Sequence, residues 1–384
     1  MPGYALIEND RKLSEVCHGL RNESELALDL EADSLHHYRE KVCLLQLSTR
    51  SATWLIDPLQ VCDLTPLGAL LADPVRLIVF HGGDYDIRSL HRDFGMSVGH
   101  MYDTMIAAQF VGITEFGLAA LLRSHFGIEL DKRFQKADWS QRPLTADMAN
   151  YAAHDTAHLL ELADCLRAKV DQLGRSSWVA EECALVAANR MVDKGEGPLF
   201  LNCKGAGKLQ RRNLAILEHL LQLRDAQARE LDRPPFKVMS TESLLVIAER
   251  QLRTVHEMSA VQGLTPRVLK RYGELLEEAV QRGLELPEEQ LPRFPRSKGE
   301  PNPGIKARIA QLKKWREQVS ADLELATGLL APNWLLERIA EQRPDSLEHL
   351  ATVPGIRRWQ ISLWGAALLK LLAEATDLEP SRGA

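Results

Sequence analysis

Two carboxylates stand one residue apart inside an otherwise apolar segment, at Asp29 and Glu31 of residues 26–32. Side chains alternate between the two faces of a strand, so both acids point the same way if this segment is a strand. Burying two anions side by side is costly unless a cation neutralises them. Divalent metals prefer such oxygen ligands. The segment therefore predicts a buried strand that carries part of a metal site.

The composition predicts a globular chain with more than one domain. The 384 residues are 45% hydrophobic and 26% charged, and at about 100–200 residues per domain this length predicts two or three domains. No apolar run approaches the roughly 20 residues of a membrane helix, and the first residues lack the regions of a signal peptide. The six cysteines form no C-x-x-C pair. We therefore expect a cytoplasmic protein with reduced thiols and no membrane partner.

Residues 1–165 alternate between strand and helix signals, which favours a mixed sheet flanked by helices. Short β-like runs near the N-terminus are separated by short polar connections and suggest a meander of antiparallel strands. A further apolar run ends in Gly82-Gly83 and predicts a buried strand. The predicted strands are 26–32, 42–48, 53–57 and 77–81, and the predicted helices are 66–71, 86–94, 103–111, 118–126 and 145–169.

From about residue 175 the chain has helical periodicity throughout, interrupted by glycine and proline clusters. Five prolines within residues 287–304 predict an extended linker. The helical segments on either side of it share a late turn-helix pattern, around Gly263 and Gly355, and we interpret them as two copies of one small module. The predicted domain boundaries are 1–175 for the α/β domain, 176–208 for a helical connector, 209–287 for the first module, 288–304 for the linker and 305–375 for the second module.

Two further acids complete a candidate metal set. Asp86 lies just after the last predicted strand, near a helix N-terminus, although helix capping is a common use of aspartate at such a place. Asp155 lies four residues after Tyr151, so the two side chains share one face of a helix. Two metal ions held by carboxylates suit phosphodiester hydrolysis, and a neutral tyrosine can orient the attacking water. A metal pair formed by His154 and His158 is the weaker alternative, because no third ligand has a suitable spacing.

These segments together resemble the DEDD exonuclease family, and within it the ribonuclease D family. The first motif is matched by Asp29-Leu30-Glu31, although many relatives have threonine in place of Leu30. The third motif is matched by Tyr151-x-x-x-Asp155, and Asn150 stands where another subtype has histidine, so the resemblance is to the tyrosine subtype. The helical modules resemble HRDC modules, so the match covers nearly the whole chain. The remaining matching segments are 81–86 with 92–95 for the second motif, 130–132 and 138–144.

The resemblance implies a fold, an activity and a set of site residues. The fold is a ribonuclease H-like α/β exonuclease domain followed by two all-α HRDC helical-bundle domains. The activity is that of a 3′→5′ exoribonuclease that releases nucleoside 5′-monophosphates from RNA. The expected substrates are transfer-RNA precursors and other structured RNAs with a single-stranded 3′ end. The cofactors are two divalent metal ions, Mg²⁺ or Mn²⁺. In the implied site Tyr151 positions the water, and the metal ligands are Asp29, Glu31, Asp86 and Asp155.

The net charge of −6 argues against a nucleic-acid partner, but the basic residues cluster locally. Residues 293–316 carry eight Lys or Arg against one acid, and residues 203–212 carry four and no acid. Each stretch is either a phosphate contact or an ordinary solvated surface. Every implied metal ligand precedes residue 156, so we expect the chemistry to need none of residues 209–384.

Aromatic side chains add candidates for base stacking, although most aromatic residues belong to a protein core. Phe134 is the best of them, because it lies beside Lys132 and Arg133 in a polar loop. The candidate RNA contacts are His81, Lys132, Arg133, Phe134, Lys208, Arg211, Lys313 and Lys314.

Two other functions remain open from the sequence. The first is a 3′→5′ exodeoxyribonuclease with the same metal chemistry, which a comparison of rates on matched RNA and DNA would distinguish. The second is a catalytically inactive RNA-binding module, which a metal-dependent activity assay would distinguish. The complete set of acids disfavours the second.

Overall fold

The computed structural model describes residues 3–190, 197–295 and 303–376. Residues 303, 375 and 376 are described by their backbone alone. The chain divides into two compact units. The first contains the described parts of residues 1–31, 42–191 and 300–384, and the second contains residues 32–41 with the described parts of 192–299. Within the described residues, no helix is both long and apolar enough to span a membrane.

The first unit is built on a six-stranded mixed sheet with the strand order β1-β4-β3-β2-β5-β6. The antiparallel pairing predicted for 42–48 and 53–57 is confirmed. The predicted strand 26–32 lies beside β3 in the sheet, as the meander requires, and its neighbour on the other side, β5, is parallel to it. The edge strands β1 and β6, which we did not predict, are only 4 and 3 residues long. The strands are β1 Tyr4–Ile7, β2 Glu25–Ala32, β3 Val42–Ser48, β4 Thr53–Ile56, β5 Leu77–Phe80 and β6 Met101–Asp103.

The parallel pairing of β2 and β5 brings the first two sequence motifs together. Ala27 is the partner of Val79 in the register of these strands. Two residues further along each strand, Asp29 is therefore level with His81. Parallel strands end at the same edge of a sheet, so the segment that follows β5 begins where the acids of β2 lie.

The helices of the α/β domain cover the sheet on both sides, as the alternating pattern predicts. The single helix predicted for 145–169 is wrong, because His158, with φ −119° and ψ 12°, interrupts it. The break lets α6 pack on β3 and β4 while α7 packs on α4 and β5, which one straight helix would not do. The helices are α1 Asp10–Gly19, α2 Thr65–Ala72, α3 Asp84–Phe94, α4 Thr104–Phe110, α5 Leu118–Phe126, α6 Ala146–Ala157, α7 Leu159–Gln172 and α8 Ser176–Ala187.

The second helical module belongs to the same compact unit as the sheet. Its buried residues share one hydrophobic core with α4, α7 and α8 of the α/β domain. Arg175, which is nearly buried, donates to the carbonyl of Phe110 at 2.7 Å and to that of Leu323 at 2.9 Å. The expectation that the chemistry needs none of residues 209–384 stays a prediction, and the shared core means that removal of this module would expose apolar surface of the α/β domain. Its helices are α14 Pro303–Leu323, α15 Thr327–Leu330, α16 Asn333–Gln342, α17 Leu347–Ala351 and α18 Arg358–Thr376.

The second unit combines the first helical module with the loop between β2 and β3. Tyr38 of this loop donates its hydroxyl to Asp225 at 2.8 Å, and the guanidinium of Arg229 lies over its ring. Gly283 allows the two long helices to approach closely, because a Cβ there would lie 2.5 Å from the Cα of Ile216. The helices of this unit are α9 Arg211–Glu230, α10 Pro235–Val238, α11 Thr241–Arg250, α12 Val255–Met258 and α13 Pro266–Glu285.

Together these features confirm an α/β domain followed by all-α modules. In the Pro-rich segment predicted as a linker, residues 288–290 form one short 3-10 turn, residues 291–295 are neither helix nor strand, and residues 296–302 lie outside the described residues.

Candidate active site

The first two acids lie on β2, as the alternation of its side chains predicts. Asp29 and Glu31 share one face of this strand, while Leu28 and Leu30 are buried on the other face. Leu30, where many relatives of the resembled family have threonine, therefore points away from the acids. The substitution leaves the acid-bearing face of β2 unchanged.

The third acid follows β5 through two glycines. Gly82 has φ +73°, a left-handed conformation that favours glycine, and a Cβ on Gly83 would lie 2.7 Å from that of Phe80. Asp86 lies in the first turn of α3 and is 6% exposed. Gly83 occupies the cap position of α3, and the backbone N–H that bonds to the Asp86 carboxylate is its own. The capping alternative for Asp86 is therefore disfavoured.

The fourth acid and Tyr151 lie four residues apart on one face of α6. This helix begins at Thr145, whose side chain accepts the N–H of Met148. Near its end the hydroxyl of Thr156 lies 2.7 Å from that of Ser48, which ties α6 to the sheet beside Asp155. The ring Nδ1 of His154 lies 2.6 Å from the carbonyl oxygen of its own helix at Asn150, which favours a structural role for this histidine.

Electrostatics show that the four acids converge. Burial raises the pKa of Asp29 to about 6. Burial, together with the charges of Asp29, Asp155 and Asp86, raises the pKa of Glu31 to about 10. Burial and the charge of Asp29 also raise the pKa values of Asp86 and Asp155 well above the ordinary value. Burial is the largest cause of each shift and the charged neighbours that add to it are other carboxylates, so these acids lie close enough to disfavour one another's ionisation.

The chemistry of this donor set fits divalent ions. All four side chains offer oxygen ligands, which Mg²⁺ and Mn²⁺ prefer. Within the described residues, no group of three His, Cys, Asp or Glu side chains already has the spacing of a metal site. The residues thus suit a metal by their chemistry and by their mutual electrostatic influence.

Tyr151 lies between this cluster and two aromatic side chains. Its ring is 5.9 Å from that of Phe134 in an edge-on arrangement and 5.9 Å from that of the buried Trp139. Burial raises the pKa of Tyr151 far above the ordinary value, and the charges of Asp155 and Glu31 add to the shift. The raised pKa favours the protonated hydroxyl, which can donate a hydrogen bond to a water or a phosphate oxygen.

The loop beside Tyr151 contains three of the predicted RNA contacts. Lys132 and Arg133 are exposed, and Phe134 is half-buried against Tyr151. The guanidinium of Arg133 lies 5.6 Å from the ring of Phe134 and also pairs with Asp131 at 2.6 Å. A base entering beside Phe134 would therefore meet an aromatic edge and a cation together.

His81 lies at the end of β5, and its imidazole is directed toward β6 and α4. Its Nδ1 is 2.9 Å from the hydroxyl of Thr104, which donates its own proton to the carbonyl of Phe80 at 3.0 Å. The imidazole Nδ1 must then be the donor, and burial lowers the pKa of His81, which favours the neutral ring. The remaining nitrogen, Nε2, is left as a hydrogen-bond acceptor.

The remaining predicted RNA contacts lie on the helical modules or, for Lys208, just before the first of them. Lys208 and Lys314 are exposed, and Lys313 is half-buried. Arg211 donates to the carbonyls of Glu288 and Leu291, both at 2.9 Å, which favours a structural role.

A structural role also replaces phosphate contact for two arginines of the basic stretch 293–316. Arg308 and Arg316 are nearly buried and donate to the carbonyls of Ala340 and Ala331 at 3.1 and 2.6 Å. Two of its cations therefore hold the second module together instead of facing a phosphate. Two more, Arg296 and Lys298, lie outside the described residues.

Two supporting groups were missed from the sequence. Asp103 is buried and accepts the N–H groups of both Gly82 and Gly83 at 2.9 Å. Two guanidinium nitrogens of Arg142 donate to the two carboxylate oxygens of the buried Asp57, at 2.6 and 2.8 Å. This bidentate pair anchors the loop that contains Phe134. The Asp103-Thr104 pair ahead of a helical segment was a usable signal for an N-cap, but nothing in the sequence connects it to glycines 20 residues away.

Comparison with known families supports both the domain type and the module type. A family model described as 3′-5′ exonuclease matches residues 4–171. A model described as HRDC domain matches residues 213–280 and again 305–372.

Whole-chain comparisons give consistent relatives. Ribonuclease D of Granulibacter bethesdensis is 30% identical over 96% of this chain and 93% of its own length. Ribonuclease D of Escherichia coli is 29% identical over 97% of this chain and 99% of its own length. The crystal structure of the E. coli protein, described as an exoribonuclease involved in structured RNA processing, matches with a TM-score of 0.75 at 28% identity, over 97% of this chain and 99% of that one. A Bifidobacterium adolescentis protein shares the fold, with a TM-score of 0.80 at 24% identity over 96% of both chains.

Proposed function

The chain belongs to the ribonuclease D family of 3′→5′ exoribonucleases, and we propose that it trims the 3′ ends of transfer-RNA precursors and other structured RNAs. In this proposal it releases nucleoside 5′-monophosphates by phosphodiester hydrolysis that depends on two divalent ions, Mg²⁺ or Mn²⁺. The observation that carries the proposal is the mutual electrostatic influence of four carboxylates, Asp86 buried and the other three half-buried, beside the hydroxyl of Tyr151.

Each group of this cluster has one task. Asp29, Glu31, Asp86 and Asp155 would hold the ions, which when bound acidify a water and stabilise the leaving oxygen. The strongly raised pKa of Glu31 supports this role, because the carboxylates lack a compensating positive charge of their own. The positions of the acids on β2, α3 and α6 leave the RNA end to approach from the side of Tyr151 and Phe134.

Tyr151 would position the attacking water by donating its phenolic hydrogen bond. A group with so high a pKa holds a water or a phosphate oxygen without removing a proton. Phe134 would stack on the terminal base, and Arg133 and Lys132 would contact the adjoining phosphates. His81 would accept a hydrogen bond from the RNA through Nε2.

The helical modules would contact the folded part of the substrate. Lys208, Lys313 and Lys314 are the groups we propose there, because their charged ends reach solvent, at least in part. Arg211 is left out on account of its bonds to two carbonyls. We also propose the boundaries 1–175, 176–208, 209–287, 288–304 and 305–375 for domain, connector, first module, linker and second module, and a cytoplasmic location.

The test is a timed digestion of a 3′-extended transfer-RNA precursor labelled at its 5′ end. With Mg²⁺ we expect a ladder that shortens one nucleotide at a time and stops near the mature end, with nucleoside 5′-monophosphates as the product. Chelation of the metal should stop the reaction. A DNA copy of the single-stranded extension is the matched control. Faster shortening of the DNA would support an exodeoxyribonuclease, and RNA binding without shortening would support an inactive binding module.

A further inference from the structure

The four N–H groups that converge on Asp103 connect the last strand of the sheet to the loop that precedes α3. One carboxylate oxygen accepts the N–H of Gly82 at 2.9 Å and also those of Met105 and Ile106 at 2.8 and 3.3 Å. The other oxygen accepts the N–H of Gly83 at 2.9 Å. The side chain is 2% exposed, so these bonds form in a place that water does not reach.

These bonds fix where α3 begins. Gly83 is the cap residue of α3, and its carbonyl accepts the N–H of Ile87 at 2.9 Å in the first turn. Asp86 lies in that same turn, so the direction of its carboxylate follows from the position of Gly83. The glycines leave no room for adjustment, because a Cβ on Gly83 would also lie 2.9 Å from the Cε of Met101.

The backbone of Asp103 is itself bonded to neighbouring elements. Its backbone N–H donates to the thiol sulfur of Cys183 on α8 at 3.2 Å, and it pairs with Phe80 across β5 and β6. Its two oxygens are already engaged by four N–H groups, which makes it a supporting group and not an additional metal ligand.

We propose that Asp103 is a positioning residue, which directs Asp86 into the acid cluster by holding Gly82 and Gly83 in place. The proposal rests on the proposed function, since it needs Asp86 to be a metal ligand. Residues that orient metal ligands commonly change metal affinity or activity by about 10–100-fold when they are replaced.

Asp103→Asn is a selective probe of this role. The amide oxygen can keep the bonds to Gly82 and Met105, and asparagine is as good an N-cap as aspartate, so α4 should still form. The amide nitrogen would then face the N–H of Gly83, where two donors repel each other. The variant therefore loses the Gly83 bond while keeping the helix cap.

The experiment measures Mn²⁺ binding by calorimetry and hydrolysis of a short RNA, on the full chain. We expect Asp103→Asn to bind Mn²⁺ about 10-fold more weakly and to lose kcat by about 10–100-fold, with KM for the RNA unchanged. In the double variant with Asp86→Asn, Mn²⁺ affinity should equal that of Asp86→Asn alone, because one residue acts through the other. Asn9→Ala, which removes the N-cap bond to Lys12 at 3.0 Å on α1, is the matched control for loss of a cap, and it should bind Mn²⁺ as the wild type does.

The outcomes separate this inference from the function it rests on. If the wild type neither binds Mn²⁺ nor shortens RNA, the proposed function fails. If the wild type does both and Asp103→Asn matches it, Asp103 is not a positioning residue. An additive loss in the double variant would also overturn the inference, since Asp103 would then act on the metal site independently of Asp86.

Discussion

Trp359 of the second helical module stacks on Trp178 of α8, with ring centroids 5.0 Å apart and ring planes 22° from parallel. Phe110 meets both rings edge-on. Beside them, Glu181 accepts the first N–H groups of α18 from Arg358 and Trp359 at 2.7 and 3.0 Å. A carboxylate at a helix N-terminus is stabilising, so α8 supplies both the apolar contact and the cap of this helix.

This contact predicts that the second module and the exonuclease domain unfold together. Trp359→Ala should lower the free energy of unfolding by about 3–5 kcal/mol, the usual loss for a buried aromatic side chain. Urea denaturation followed by circular dichroism would measure it, with Phe236→Ala, whose ring is 54% exposed, as the control. A chain that ends before residue 303 should lose structure in the exonuclease domain as well. A truncated chain with unchanged stability would contradict the shared core.

Tyr151 gives the clearest separation of chemistry from binding. Tyr151→Phe keeps the ring contacts with Phe134 and Trp139 and removes only the hydroxyl. Loss of a positioned proton donor should lower kcat by about 10²–10⁴-fold, with KM for a short RNA nearly unchanged. Single-turnover kinetics would measure the chemical step. Normal turnover with weak RNA binding would instead make Tyr151 a substrate contact.

The ion pair between Arg142 and Asp57 predicts a pH dependence of stability. Burial alone would raise the pKa of Asp57, but hydrogen bonds from Arg142 and Gln60 outweigh it and hold the pKa below its ordinary value. Because the pKa is lower in the folded chain, this stabilisation is complete above the unfolded pKa of about 3.9 and is lost as the pH falls through the folded value.

The matched measurement uses Asp57→Asn. At pH 7 the variant should be less stable by roughly 3–5 kcal/mol, since it leaves the partly buried Arg142 without its charged partner. The difference from the wild type should narrow as the pH falls below about 4, because the carboxyl takes up its proton first in the unfolded chain, and it should be smallest below the folded pKa. Unfolding free energies at several pH values would check both points, and a difference that stays constant with pH would contradict the assignment.

Lys313 and Lys314 predict a salt effect on RNA affinity. If each neutralises one phosphate of the folded part of the substrate, replacing both with Ala should reduce the slope of log Kd against log salt by about 1–2. Fluorescence anisotropy with a transfer-RNA precursor would measure the slopes. Replacing Arg11 and Lys12, exposed cations on α1, is the control, and an equal change there would mean that the effect reports net charge alone.

Local periodicity was enough to predict which of the candidate site residues share a face of a strand or a helix. Strand alternation placed Asp29 and Glu31 on one face, and the four-residue spacing placed Tyr151 beside Asp155. Periodicity does not predict which residues distant in the sequence a side chain contacts. The guanidinium of Arg316 is bound to a carbonyl 15 residues away, although its sequence neighbourhood is that of a phosphate-binding surface.

Long-range packing accounts for the other differences. The hydrogen bond from the N–H of Gly82 to Asp103 joins segments about 20 residues apart, and the stacking of Trp359 on Trp178 joins α18 to α8. Neither contact can be predicted from the periodicity of the sequence. The break at His158 is of the same kind, because it follows from the two different surfaces that α6 and α7 cover.

The central claim is that Asp29, Glu31, Asp86 and Asp155 together hold the metals that drive exonucleolysis. The most direct measurement is the rate of nucleoside 5′-monophosphate release from a transfer-RNA precursor by the wild type and by four variants, each with one acid replaced by Asn or Gln. Stability should not fall, because removing one anion relieves repulsion in the cluster. We predict that all four variants remain folded, lose hydrolysis and bind Mn²⁺ more weakly than the wild type. A folded variant at any of the four positions that keeps near-wild-type turnover would contradict the claim.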